Sequence, residues 1–302
     1  AQVLRRQFPL RAAAAKTIYR SQGDTLEAIV DLPSTSRLRN SSSLNILNLN
    51  ETKICVTKKL QEEMARLRSE LLISCIPRLI DIKASTKILF HNVRSLHLHI
   101  DDVAGEYNVQ AADINIFVET ALCSSVNNDD YHIDDFRLFR NDVSADSIRR
   151  TCYGTAVYIK TDMPCAVEPC RANYNDVETT VSVLSTPMSD LCVVGIYRSK
   201  SKVNMKAFIE SLNDLLDNII PRGHTVILGD FNVNLLETSS EKNALTKNHL
   251  EQRGYTQLIT KYTTDYKSLL DHVYTNIPDR IQSSGVLESY FSDHKPVYVC
   301  ID

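Results

Sequence analysis

The sequence predicts a layered α/β (α+β) domain over residues 86–302, in which β-sheets pack together with helices outside. Short apolar runs recur along this stretch and alternate with polar segments, as is typical of strands; they are KILF, INIFV, TAVYI, TTVSVL, LCVVGIY, TVILG, HVYT and PVYVCI. In the segment 204–220, apolar residues recur at helical spacing and predict one amphipathic helix. Many strands with few helices favour packed sheets flanked by helices over a helical bundle.

Two further stretches precede this domain. Residues 1–50 begin basic and end in a run rich in Ser and Asn. Residues 51–84 are predicted to form a helical linker, because apolar residues recur there at helical spacing until Pro77 breaks the pattern. We therefore predict three parts: a front fragment, a connecting helix and the α/β domain.

Composition limits the classes of function. The formal net charge of −3 does not announce a nucleic-acid partner, so any attraction for phosphate must be local. The chain has eight cysteines but no CxxC pair, which favours reduced, intracellular thiols over a zinc site. No run of 18 apolar residues occurs, so no membrane partner is expected. The first residue is not Met, and we expect the chain to begin within a longer protein.

Polar side chains stand at the ends of several predicted strands, where a rigid scaffold can hold catalytic groups. They are Asn92, Glu119, Tyr197, Asp230, Asn232, Asp271, Asp293 and His294. Each has a plainer interpretation when taken alone. GDFN at 229–232 is equally consistent with a turn, Tyr197 with a core side chain, and Asp271 with a solvated carboxylate.

The order of these residues resembles the endonuclease/exonuclease/phosphatase family, which includes deoxyribonuclease I, apurinic endonucleases and the endonuclease domains of non-LTR retrotransposons. The matching segments are HNVRSL, VET, GIYRS, GDFN, SLLDHVY and SDH. The resemblance covers residues 86–302. It implies a four-layer, DNase I-like sandwich of two packed β-sheets flanked by helices, with a divalent-metal site at one edge.

The resemblance also implies a metal set. Glu119 is expected to be the main ligand, with Asn92 and Asp293 beside it. Mg²⁺ is the expected cofactor, and Mn²⁺ is an alternative. Oxygen ligands suit these cations, which neutralise the charge of a phosphodiester and leave room for its oxygen.

The remaining roles follow from the same resemblance. Asp230 orients or deprotonates the attacking water, and Asn232 positions that group and the phosphate. His294 donates to the phosphoryl oxygen, and Asp271 holds its imidazole in the charged form. Tyr197 contacts the phosphate or the leaving oxygen.

The sequence departs from the family pattern at some positions. Arg94 stands where some members carry an acid, and Ser199 replaces a Pro that follows Tyr-Arg in the retrotransposon branch. We expect Arg94 and Arg198 to contact DNA, within a local basic rim that also includes Lys200 and Lys202. These changes bear on substrate positioning and leave the metal set intact.

The front fragment resembles a different family. Its segment RRQFPLRAAAAKTIYRSQGDTLEAIVDLP looks like the late motifs of PIF/RecD-like DNA helicases. Neither the phosphate-binding loop GxxxxGK[ST] nor the acidic Mg²⁺-binding motif is present, so we expect this fragment not to bind or hydrolyse ATP. A helicase end fused to such a nuclease resembles Helitron-type (Helentron) transposon proteins.

The leading hypothesis is a nuclear, Mg²⁺-dependent DNA endonuclease from a mobile element, with DNA as its partner. Two alternatives stay open. The same residue set serves phosphatases and lipid phosphodiesterases, and a degenerate module would bind without cleaving. The helicase-like neighbour and the segment HNVRSL favour DNA.

Overall fold

In the computed structural model, the residues described are 79–84, 86–142, 154–163, 170–174, 179–186, 191–199, 205–219, 223–237 and 241–302. The chain divides into two compact units, Ala1–Pro77 and Arg78–Asp302, and the described residues all belong to the second. The helicase-like fragment and most of the predicted linker helix lie outside the described residues, so both stay predictions. The end of the linker forms a short 3₁₀ helix at Leu79–Asp81.

The first sheet has six strands. They are β1 Thr86–Asn92, β2 Ile114–Val118, β3 Phe136–Asn141, β4 Thr155–Lys160, β11 Ile281–Val286 and β12 Val297–Ile301. Their order across the sheet is β11-β12-β1-β2-β4-β3. β1 runs parallel to β2, with Asn92 opposite Val118, and antiparallel to β12. The ends of β1 and β2 therefore meet at one edge.

The second sheet also has six strands. They are β5 Cys170–Tyr174, β6 Thr179–Thr186, β7 Leu191–Arg198, β8 His224–Asp230, β9 Thr256–Gln257 and β10 Asp271–Thr275. Their order is β5-β6-β7-β8-β10-β9. β7 and β8 are parallel, whereas β10 runs antiparallel to β8, so β10 begins where β7 and β8 end.

Helices cover the outer faces. They are α1 Leu96–Ala104, α2 Tyr107–Ala111, α3 Met205–Asp214 and α4 Glu241–Gln252. α3 continues into a π-helical turn at Leu215–Ile219, so the amphipathic helix predicted over 204–220 is confirmed. Short 3₁₀ helices occur at Asn128–Tyr131 and Pro278–Arg280. Among the described residues, no helix is both long and apolar enough to cross a membrane.

Three clusters of buried apolar side chains define the layers. One lies between the sheets and joins Phe90 and Ile116 of the first to Leu228 of the second. The others place α1 and α2 on the first sheet and α3 and α4 on the second. At Gly195 a Cβ would lie 2.6 Å from Ile116 Cγ2, so glycine permits the sheets to approach there. The predicted four-layer sandwich is confirmed.

Candidate active site

Polar residues from both sheets converge at the edge where the central strands end. Across the second sheet, Tyr197, Asp230 and Asp271 occupy one row, because Asp230 is the register partner of both. In the first sheet, Asn92 ends β1 and Glu119 directly follows β2. Asn92 Nδ2 donates to Asp230 Oδ2 at 2.9 Å and joins the two sheets.

Asp230 is fully buried and held by two hydrogen bonds. Its Oδ2 accepts from Asn92, and its Oδ1 accepts from the backbone N–H of Asn232 at 3.0 Å. Burial, together with the charge of Asp271, raises the pKa of Asp230 to about 7, against the opposing effect of His294. Since efficient acid–base groups have a pKa close to the working pH, Asp230 is suited to accept a proton near neutrality.

His294 and Asp271 form a buried pair. His294 Nδ1 lies 2.9 Å from Asp271 Oδ2 and 3.2 Å from Oδ1. Burial alone would lower the pKa of His294, but the charge and hydrogen bond of Asp271, with the charges of Asp230 and Asp293, raise it to about 10. The imidazole is therefore cationic at neutral pH and donates Nδ1–H to Asp271. We call Asp230, Asp271 and His294 the proton-transfer cluster.

The loop that carries His294 is tied to β1. Ser292 Oγ donates to the carbonyl of Asn92 at 2.7 Å and accepts from the backbone N–H of His294 at 3.1 Å. His91 Nε2 donates to the carbonyl of His294 at 2.9 Å. Burial lowers the pKa of His91 to about 4, so this ring is neutral. Ser292 belongs to the motif SDH and His91 lies within β1, but no sequence pattern predicts that these two residues join the loop to the strand.

The loop after β8 is closed by reciprocal contacts. Asn232, with a φ of 50°, donates from Nδ2 to the carbonyl of Arg198 at 2.8 Å. Arg198 Nη1 in turn donates to the carbonyl of Phe231 at 2.8 Å. His272 stacks on the Phe231 ring at 4.8 Å and donates from Nε2 to the carbonyl of Val233 at 2.8 Å. Arg198 and His272 therefore hold the GDFN segment in place through their contacts with Phe231 and Asn232.

Arg198 is 3% exposed and supports this loop from inside the domain. This burial contradicts the expectation that Arg198 lies on a basic rim that contacts DNA. The physical reason is that the guanidinium donates to backbone carbonyls at the end of β8. Lys200 and Lys202 lie outside the described residues.

A second group comprises Glu119, Asp293 and Arg94, and we call it the carboxylate–arginine cluster. Arg94 donates from Nε to Asp293 Oδ1 and from Nη2 to Asp293 Oδ2, both at 3.0 Å. Arg94 Nε also lies 3.7 Å from Glu119 Oε2. That oxygen is buried and accepts no hydrogen bond from any described residue.

The backbone around this cluster is held in an uncommon conformation. Arg94, Ser95 and Glu119 have φ values of 52°, 101° and 53°. The loops after β1 and β2 pair with each other, because Ser95 N–H donates to the carbonyl of Glu119 at 2.8 Å. Left-handed backbone at several non-glycine residues is costly, and it occurs preferentially where function fixes a side chain.

Comparisons with known proteins agree with this geometry. Residues 191–298 match a family model described as Endonuclease-reverse transcriptase. The endonuclease domain of TRAS1, a telomere-specific non-LTR retrotransposon, is similar at a TM-score of 0.55 and 17% identity, over 72% of this chain and 97% of that one. AP endonuclease LMAP from Leishmania major is similar at a TM-score of 0.57 and 12% identity, over 73% of this chain and 89% of that one. TDP2 from D. rerio, complexed with single strand DNA product, is similar at a TM-score of 0.54 and 13% identity, over 72% of this chain and 98% of that one.

The described domain has the DNase I-like fold. The match over residues 191–298 includes Tyr197, Asp230, Asp271 and His294, and supports the relationship to the endonuclease/exonuclease/phosphatase family. A comparison with curated protein sequences found no match.

The resemblance to DNase I-like nucleases implies a divalent metal, and the residues of the carboxylate–arginine cluster could hold one. Glu119 is 6% exposed and its Oε2 lacks a hydrogen-bond donor, which suits an oxygen-seeking cation. The proton-transfer cluster also brings three ligand atoms within 4.8 Å of one another. Glu119 is the better candidate ligand, because the carboxylate oxygens of Asp230 and Asp271 already have hydrogen-bond partners, whereas Glu119 Oε2 accepts none from the described residues.

The DNase I-like domain brings together the eight polar residues expected at the strand ends and, with them, Arg94. Asn92 Nδ2 donates to Asp230, and Asn92 Oδ1 accepts from the backbone N–H of Arg94 at 3.1 Å, so its function as a metal ligand stays a prediction. Tyr197 is 5% exposed in the row with Asp230, and its contact with phosphate stays a prediction.

Proposed function

We propose that the domain over residues 86–302 is a Mg²⁺-dependent endonuclease that hydrolyses a phosphodiester bond of DNA. The observation that carries this proposal is the proton-transfer cluster. It holds the buried carboxylate of Asp230, oriented by Asn92 and by the Asn232 N–H, in one site with His294, whose Nδ1 pairs with Asp271 at 2.9 Å. Such an arrangement provides a group that accepts the proton of water and a group that donates to the phosphoryl oxygen.

The residues of the two clusters have separate roles in this proposal. Asp230, oriented by Asn92 and the Asn232 N–H, takes the proton of the attacking water. His294, held by Asp271 through Nδ1, presents its other N–H to the phosphoryl oxygen and stabilises its developing charge. Glu119 would hold the Mg²⁺ ion, with Asp293 near it. A bound Mg²⁺ supplies neutralisation of the phosphate charge.

An exposed loop beside the site supports DNA as the substrate rather than a small phosphoester. Tyr266 is 80% exposed and Tyr262 is 43% exposed, and Lys267 is adjacent to Tyr266. The loop is fixed to the site because Asp265 N–H donates to the carbonyl of Asp293 at 2.9 Å. Exposed aromatic rings stack on bases, and lysine neutralises backbone phosphates, so this loop fits a polynucleotide.

We also propose that the chain derives from a Helitron-type transposon protein and acts in the nucleus. The helicase-like motif in residues 1–50 supports this origin, as does the similarity of the domain to a retrotransposon endonuclease. The full chain is expected to show no DNA-stimulated ATP turnover, because the phosphate-binding loop is missing. Turnover by the homogeneous protein would contradict this part of the proposal.

The proposed activity is tested by incubating the full chain with supercoiled plasmid, with Mg²⁺ or with EDTA. We expect nicked plasmid only with Mg²⁺, and none from the Asp230→Asn variant. The Tyr266→Ala variant separates the alternatives, with Tyr107→Ala as the matched control because that tyrosine is 56% exposed on α2. If Tyr266→Ala loses plasmid nicking but still cleaves bis(p-nitrophenyl) phosphate, this result supports DNA as the substrate. Hydrolysis of inositol phosphates without nicking would favour a phosphatase, and no hydrolysis a non-catalytic module.

A further inference from the structure

Arg94 lies between the two carboxylates that are proposed to face the metal. It forms a two-pronged pair with Asp293, at 3.0 Å on each side, and its Nε lies 3.7 Å from Glu119 Oε2. Among the ion pairs of the described residues, Glu119 and Asp293 each pair with Arg94. The guanidinium therefore occupies the position at which both carboxylates would contact a divalent cation.

The surroundings of Arg94 allow its side chain to move while its backbone stays in place. The side chain is 47% exposed, whereas those of Glu119 and Asp293 are 9% and 15% exposed. The backbone is anchored, because Arg94 N–H donates to Asn92 Oδ1 at 3.1 Å and Ser95 N–H donates to the carbonyl of Glu119. A long side chain on an anchored backbone can leave the carboxylates without unfolding either loop.

We propose that Arg94 competes with the divalent cation for the carboxylates of Glu119 and Asp293. Cation binding would then displace the guanidinium, which would contact the DNA phosphate. This inference rests on the proposed metal-dependent function. Both oxygens of Asp293 are engaged by Arg94, so a cation that uses Asp293 must displace at least one of these hydrogen bonds. Two positive charges at the same carboxylates also repel each other. Arg94 therefore weakens cation binding to the free protein and couples cation loading to phosphate recognition.

The first test measures Mn²⁺ binding to the full chain without DNA, from the loss of the free-ion signal in electron paramagnetic resonance. The Arg94→Gln variant keeps a polar side chain but removes the charge, and we expect it to bind Mn²⁺ at least about fivefold more tightly, the lower end of usual coupling between sites. Arg94→Lys keeps the charge without the planar fork, and we expect an intermediate affinity.

The matched control is Arg253→Gln. Arg253 also pairs with both oxygens of one carboxylate, Asp217, but it follows α4. This variant should bind Mn²⁺ like the wild type. Equal or weaker binding by Arg94→Gln would overturn the inference while leaving a metal-dependent nuclease possible. If the wild-type chain binds no Mn²⁺, or if Glu119→Gln binds it unchanged, the proposed metal site itself fails.

The second test addresses the release of Arg94 towards phosphate. DNA affinity is measured in the non-cleaving Asp230→Asn background, with and without Mn²⁺, by fluorescence anisotropy. The cation should strengthen DNA binding when Arg94 is present, and this gain should shrink when Arg94→Gln is added. An equal gain in both proteins would refute the coupling.

Discussion

Asn92 forms a hydrogen bond with one member of the proton-transfer cluster and one of the carboxylate–arginine cluster, but the two clusters differ in burial and in hydrogen bonding. Asp230, Asp271 and His294 are 0%, 1% and 3% exposed, and each has a hydrogen bond to a neighbouring site residue. In the other cluster, Glu119 Oε2 lacks a hydrogen bond and the Arg94 side chain is 47% exposed.

The two clusters are therefore prepared for the reaction in different ways. Buried groups that are held by hydrogen bonds need little rearrangement when charge develops, so the proton-transfer cluster is preorganised by folding. In the carboxylate–arginine cluster, the Glu119 oxygen has no hydrogen bond from the described residues and lies beside the exposed Arg94 side chain, so this cluster is incomplete until a metal ion binds. The fold thus supplies the acid and base, whereas the charge neutralisation depends on solution conditions.

The largest effect is expected from Glu119→Gln, which targets the incomplete cluster. The amide keeps the shape of the carboxylate but loses the charge that holds a hard cation. Mg²⁺-dependent nicking should disappear at low Mg²⁺, while the unfolding midpoint stays close to that of the wild type. Wild-type nicking by this variant at low Mg²⁺ would show that Glu119 is not the ligand.

The preorganised cluster is broken by Asp230→Asn or by His294→Ala. Positioned acid–base groups contribute about 10²–10⁴-fold to rate, and each variant should lose turnover by that order. DNA affinity should be largely retained, because both groups act mainly in the transition state. Single-turnover nicking and equilibrium DNA binding are the measurements. A loss confined to affinity would contradict both roles.

Asp271→Ala sharpens the comparison with a smaller loss of turnover. Asp271 acts only by holding and charging His294 through the 2.9 Å hydrogen bond. The double variant Asp271→Ala with His294→Ala should therefore be no slower than His294→Ala alone, since the two residues act as one unit. Additive losses in single-turnover nicking would mean that Asp271 works independently of His294.

The last prediction concerns stability instead of rate, and it involves one supporting histidine on each sheet. Burial lowers the pKa of His91 and of His272 to about 4, below the ordinary 6.5. As pH falls from 6.5 towards 4, both histidines become protonated in the unfolded chain but stay neutral in the folded chain. Each histidine should remove on the order of 3 kcal/mol from the free energy of unfolding over that range.

Urea unfolding at pH 7 and pH 4 measures this loss in the wild type and in His91→Gln, which keeps a hydrogen-bond donor but does not titrate. We expect the variant to lose less stability on acidification than the wild type. Identical losses would show that His91 is not held neutral by its burial. The corresponding change at His272 serves as the comparison on the second sheet.

The strands missed by sequence analysis share one position in the fold. The apolar runs fall within β1, β2, β4, β6, β7, β8, β10 and β12, whereas β3, β5, β9 and β11 produced no recognised run. These four are the outermost strands of the two sheets. An edge strand has one neighbour and less burial, as the intermediate exposure along β3 and β11 shows, so it needs less apolar sequence. Helix α4 was missed for a related reason, since few of its described side chains are buried.

Local patterns are sufficient to predict the central strands, helix α3 and the polar residues at the strand ends, because these depend on periodicity and on short motifs such as GDFN and SDH. Which polar atoms meet depends on the packing of the two sheets. The contacts of Arg94 with Asp293 and of Ser292 with Asn92 join residues 199 and 200 positions apart. The same holds for the burial of Arg198, whose guanidinium donates to a carbonyl 33 residues away. Such contacts follow from how the sheets pack, and no local pattern contains them.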